Sequence, residues 1–135
     1  MTDTNITHLS PDKLHTAELV YESEIRFGPA FYSLSIDHRL LNNRIFGNCL
    51  CWSFDSKYLA TQEWLTTDYS EGPITRVLLI DIDRNRFVPL KNLHKGFVNG
   101  FTFENNLFVY TRDAGGMVQE VEVNISDINT WEQLF

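Results

Sequence analysis

Trp52-Ser53-Phe54-Asp55-Ser56-Lys57-Tyr58-Leu59-Ala60 decides how the rest of the chain reads. Trp52 and Phe54 stand two apart around a polar residue, the period of a strand with one face turned inward. Asp55-Ser56-Lys57 carries turn chemistry, because short polar side chains bond their own backbone and favour tight reversals. Tyr58 to Leu65 then resumes as a second strand. The unit is a hairpin.

Working outward, Phe101-Thr102-Phe103-Glu104-Asn105-Asn106-Leu107-Phe108-Val109 aligns with this stretch without a gap at an offset of 49. The echo continues with Leu78 to Asp83 against Val118 to Asn124, and with Arg84-Asn85-Arg86-Phe87 against Ile128-Asn129-Thr130-Trp131. Such self-similarity is the signature of a repeated supersecondary unit. Residues 47–95 therefore read as a first four-stranded antiparallel unit. Residues 96–135 read as a second, with strands at 97–104, 107–112 and 117–124 and a short element around Trp131. Residues 17–46 supply leading strands, Glu18 to Phe27 and Phe31 to Asp37, broken by Gly28-Pro29 and followed by a turn at Asn42-Asn43. Residues 1–16 form an opening segment in which Ser10-Pro11-Asp12-Lys13-Leu14 caps a single helical turn or leads in without regular structure. The expected fold is all-β, mainly antiparallel meanders, in one domain spanning 1–135.

Composition agrees with a packed domain. Of 135 residues, 43% are hydrophobic and 13% aromatic, enough bulk for a core without a disulfide or structural metal. Eighteen acids against eleven bases leave a formal charge of −7. That sign argues against gripping phosphate backbones and for a basic protein partner. Residues 96–135 carry six acids and one arginine, whereas 76–95 carry five bases and two acids. No apolar run reaches the roughly 18 residues that span a bilayer. Met1 to His8 has neither a basic nor an apolar region, so a cytoplasmic location is expected. Cys49 and Cys51 share a strand face, where a bridge between them is badly strained; both read as reduced thiols.

The stretch from Trp52 to Ala60, followed by Leu79-Ile80-Asp81-Ile82-Asp83 and a turn, resembles a blade of the Tol-type and WD-repeat propellers. Phe54 and Ser56 depart from it, standing where those blades favour proline and glycine. The resemblance covers residues 47–134 and implies a four-stranded repeat. Two such units cannot close a ring. An acidic β-domain with Gln62-Glu63-Trp64-Leu65-Thr66-Thr67-Asp68, an acidic loop and then Gly72-Pro73-Ile74-Thr75-Arg76 is also similar to bacterial immunity proteins encoded beside polymorphic or contact-dependent toxins. That resemblance implies a protein without chemistry of its own, which binds one cognate basic toxin domain, often a nuclease, and covers its active site.

No catalytic, cofactor-binding or metal-ligating residue is expected. Gly115-Gly116 reads as a hairpin turn, and His8, His15, His38 and His94 are dispersed. Asp81 and Asp83 read as a solvated strand end beside Arg84 and Arg86, and Trp64 reads as core. The candidate contact surface is the loop Thr66 to Pro73. Asp68 and Glu71 there, with Glu63 just before it, would pair with a partner's Lys or Arg around Tyr69 as an aromatic anchor. Glu120 and Glu122 alternate with Val121 and Val123, a wet acidic strand face able to meet the same partner. The other expected state of the chain is a small homo-oligomer of propeller-like units.

Overall fold

The computed structural model describes residues 5–26 and 28–135. The expected strand end at Phe27 and the first four residues of the opening segment lie outside them. The chain is all-β. Its strands are β1 (Asn5–Leu9), β2 (Thr16–Glu24), β3 (Ala30–Ile36), β4 (Arg39–Leu40) and β5 (Ile45–Trp52). Then follow β6 (Tyr58–Trp64), β7 (Ile74–Asp81), β8 (Arg86–Pro89) and β9 (Leu93–His94). The last are β10 (Gly96–Glu104), β11 (Leu107–Ala114), β12 (Met117–Asn124) and β13 (Glu132–Gln133). Among the described residues the one helical element is a 3-10 turn, Ile125–Asp127.

Two antiparallel sheets result. The large one runs β1-β2-β3-β5-β6-β7-β8-β13, with β4 folded back on β3 and β9 paired to β7; the small one is β10-β11-β12. β6 and β7 sit centrally and are buried on both faces. Leu59, Leu78 and Ile80 join one apolar cluster with Ala17, Leu19, Leu34 and Ile36, so β2 and β3 curl round to cover that side. Ala60, Val77 and Leu79 join another with Val98, Phe103, Phe108 and Tyr110 of the small sheet. Burial on both faces is why Val77-Leu78-Leu79-Ile80 is continuously apolar and does not alternate.

The curl starts at a bulge. Pairing of β5 with β6 shifts register between Phe46 and Leu50, around Gly47. A Cβ on Gly47 would fall 1.8 Å from Gln62 Oε1 and 2.9 Å from Trp64 Nε1. Gly47→Ala is therefore expected to destabilise the fold by about 1–3 kcal/mol, the usual cost of overpacking. Chemical denaturation would measure it; a loss below a few tenths would show that the bulge relaxes freely.

Two sequence expectations change. The opening segment is a strand, β1, paired with β2 from Asn5↔Val20 to Leu9↔Thr16, and Ser10 to Leu14 is its hairpin turn and not a helix. That turn repeats the Ser53 turn bond for bond. Ser10 N and Ser53 N donate to the carbonyls of His15 and Tyr58, each at 2.9 Å. Ser10 Oγ and Ser53 Oγ donate to Asp12 Oδ1 and Asp55 Oδ1, and accept from the N–H of His15 and Tyr58. The two turns touch, Asp12 N donating to Ser56 Oγ at 3.0 Å. The second change concerns the element near Trp131. It was expected to be the fourth strand of the second unit; instead β13 pairs with Arg86 and Phe87 of β8, and the second unit keeps three strands. The small sheet caps one face of the large one, and the chain leaving β12 returns to the edge of the large sheet at β8 and does not fold back on β12.

Candidate partner-binding face

The loop between β6 and β7 is held from within. Thr66 Oγ1 accepts from Asp68 N, and Asp68 Oδ1 accepts from Ser70 N, both at 2.9 Å. The Ser70 N–H, with the Ser70 hydroxyl behind it, holds the exposed Asp68 carboxyl below the ordinary Asp range. Gly72, at φ 87°, lies against Lys95, whose N–H donates to Pro73 O at 2.6 Å. The loop thus rests on the start of β10. Glu71 stays exposed.

Tyr69 departs from the expected anchor role. Its ring lies 6.0 Å from Trp64, and its hydroxyl is buried without a hydrogen-bond partner among the described residues. Burial pushes the phenol pKa up. An unpartnered buried hydroxyl costs roughly 1–3 kcal/mol of desolvation. Tyr69→Phe is accordingly expected to raise stability by about 1 kcal/mol, read from the denaturation midpoint; a loss of that size would reveal a bond made through this hydroxyl. Trp64 itself is core, 3% exposed and ringed by Phe31, Tyr69 and Phe97. Its Nε1 donates to Gln62 Oε1, while Gln62 Nε2 donates to Val98 O, each at 2.8 Å. That chain of bonds ties the two sheets together.

Glu63 is likewise turned inward. Its side chain is 4% exposed and accepts from Arg44 Nη1 at 2.5 Å and Arg76 Nε at 2.7 Å. Arg76 is its direct cross-strand neighbour on β7. The carboxylate expected to meet a partner's base is already bound to two of the chain's own. Asp81, read as solvated, is 2% exposed and pairs with Arg86 at 2.8 Å. Cys49 and Cys51 are free and lie against the small-sheet core, where burial raises both thiol pKa values.

Exposed acids are spread over the described residues, and one group of them shares a side of the small sheet. Val121 and Val123 of β12 pack into the core, which turns Glu120 and Glu122 to the outer face. Register places Glu120 opposite Thr111, Glu122 opposite Val109 and Asp113 opposite Val118. Glu104, beyond Phe103 on β10, shares this face. The one arginine of residues 96–135, Arg112, donates to the carbonyls of Lys91 and Asn92 at 3.3 and 3.2 Å. Four carboxylates therefore stand on this face with no base of the small sheet paired to them. The face runs on into a cleft of about 370 Å³ lined by Tyr32, Trp64, Phe97, Asn99 and Asp113.

Against family models, curated proteins and solved structures, the chain has no match. Its own geometry carries the functional argument.

Of the expected contact residues, the fold keeps Asp68, Glu71, Glu120 and Glu122 at the surface and withdraws Glu63 and most of Tyr69. The loop and the start of β12 lie toward the same end of the small sheet, because Gly96, beside the loop, pairs with Ala114, and Ala114 pairs with Met117. Asp113, Glu104 and the Trp64 cleft were missed. Alternation around Asp113 was visible, but only strand pairing shows that it shares a face with Glu120. Among the described residues no group of three His, Cys, Asp or Glu side chains is placed to hold a metal ion, and no helix is long and apolar enough to cross a membrane.

Proposed function

We propose that the chain is a binding protein that neutralises a basic protein, of the toxin-immunity kind, by covering its working surface. The observation that carries this reading is the outer face of the small sheet, where Asp113, Glu120 and Glu122 follow one another in register from the aromatic-lined cleft that Asp113 enters, and Glu104 lies on the same face at the far end of β10. Complementary fields of this kind speed encounter and fix which surface meets which. The cleft offers a seat for one anchoring side chain, with the Asp113 carboxylate in its lining. The reading places the protein in the cytoplasm, beside the partner it inhibits, and assigns it no reaction or cofactor.

The test is capture of partners by the tagged chain from its native host at low and at high salt. The expected result is one basic protein that leaves as salt rises, is toxic when expressed alone and is harmless when co-expressed with this chain. Recovery of the chain alone, as a defined oligomer, would overturn the reading and favour a symmetric assembly module.

A further inference from the structure

β12 is an unpaired edge. It pairs with β11 over its full length, from Met117↔Ala114 to Asn124↔Leu107, and among the described residues no strand flanks its other side. The hairpin before it sets which backbone groups are free. Gly115 and Gly116 both have positive φ, 60° and 80°, as a two-residue turn of the mirror-image type requires. The residues flanking such a turn exchange both of their N–H···O bonds, and bonded pairs recur at every second position. Met117, Gln119, Val121 and Val123 therefore spend their backbone groups on β11. Val118, Glu120 and Glu122 point theirs outward.

Long edges are usually blunted by bulges, prolines or a covering loop. β12 is regular over eight residues and ends on two exposed apolar side chains, Met117 at 78% and Val118 at 65%. We infer that β12 accepts an antiparallel extended strand of a basic partner, in which Lys or Arg residues alternate opposite Glu122 and Glu120 and an apolar residue meets Val118. The inference rests on the acidic-face reading above and names how that partner engages. A strand added there places every second side chain on the outer face, so the segment reads basic, any, basic, any, apolar. Backbone pairing supplies affinity and the alternating charges supply register.

A second copy of this chain fits worse. Antiparallel pairing of β12 with itself in a register that covers both glutamates sets Glu120 against Glu122, or sets one of them against its own copy. Like charges directly opposite are unfavourable.

The probe is a soluble peptide with the core Lys-Thr-Lys-Thr-Val, followed by fluorescence anisotropy and amide hydrogen exchange. Binding is expected to weaken severalfold between low and physiological salt, and to slow exchange at Val118, Glu120 and Glu122. The double variant Glu120→Lys with Glu122→Lys is expected to lose at least ~10-fold in affinity for that peptide. It should gain affinity for the counterpart Glu-Thr-Glu-Thr-Val, a gain that only a folded variant can show. Equal binding of both peptides by both proteins, or unchanged exchange at the three amides, would overturn the inference. If the lysine peptide fails while a basic partner is still captured from the host, strand addition falls and the acidic-face reading survives. If the peptide binds in register while capture yields no partner, strand addition stands and the immunity reading falls.

Discussion

Phe108→Ala is expected to lower unfolding free energy by about 4 kcal/mol, the upper range for losing a buried phenylalanine. Phe108 is fully buried on β11, the middle strand of the small sheet. Phe103 lies 4.9 Å away, Tyr110 5.7 Å and Phe101 5.9 Å, ring centre to ring centre. Removing the central ring opens a hole between sheets that meet largely through this cluster, and rigid neighbours on paired strands cannot close it. Since small domains are stable by only about 5–15 kcal/mol, most of the margin is at stake. Denaturant unfolding should show the midpoint falling with an unchanged slope. Phe108→Leu, which leaves most of the volume filled, should cost about a third as much. A loss under ~1 kcal/mol for the alanine variant would mean that the small sheet is held by something other than this aromatic face.

Glu63→Ala comes next in size, at about 3 kcal/mol. The substitution leaves Arg44 and Arg76 facing a site built for one carboxylate, with their side chains only 25% and 22% exposed. Partial access to water places the cost at the low end for a broken buried pair. Arg44 keeps its place over the Phe87 ring, 4.7 Å from its centre, so the local packing is expected to survive. Replacing the trio together, as Glu63→Leu with Arg44→Met and Arg76→Met, should restore most of the loss, because apolar groups need no counter-charge. Comparing denaturation of the single and triple variants separates lost pairing from lost shape. If the single change proved silent, the trio would count as an ordinary surface ion pair, worth under about 1 kcal/mol.

The charge reversal at Glu120 and Glu122 forms a useful contrast with Glu63→Ala. Side chains on the wet face of an edge strand leave stability nearly untouched while changing what the face attracts. An acid on a doubly buried strand does the opposite.

Several elements were legible because they obey local rules. β12 was read to the residue, Met117 to Asn124, since its alternation is clean and its turn is Gly115-Gly116. The hairpin from Trp52 to Ala60 followed from aromatic spacing and the Asp55 turn. β1 was missed. Asn5-Ile6-Thr7-His8-Leu9 alternates only weakly, and its side chains remain exposed or half-buried, so it is held mainly by backbone pairing with β2. The Ser10-Pro11-Asp12 signal fits a capped helical turn or an irregular lead-in as well as a hairpin turn, because a serine followed by an acid serves more than one structure until its bonding partners are known.

The echo at offset 49 shows where local reading stops. Trp52 pairs with Leu59, yet their counterparts Phe101 and Phe108 do not pair: Phe108 lies opposite Phe103, and the β10 register slips between Asn99 and Thr102. The two hairpins share an aromatic rhythm and differ in pairing. Gly100, at φ 63°, sits in the slip.

By itself, then, the sequence determined the all-β class, the central hairpins, the acidic character and the outward turn of Glu120 and Glu122. Each of these depends on neighbours within a few residues or on composition. Only the tertiary structure decided that Glu63 is spent on Arg44 and Arg76, that Asp113 joins the acidic face, and that β13 crosses to the large sheet. It also decided that β12 is left as a free edge. For Glu63 and β13 the physical reason is the same: their pairing partners lie 13 to some 50 residues away in sequence, and which strand lies beside which, the open side of β12 included, is settled by how two curved sheets bury their apolar faces.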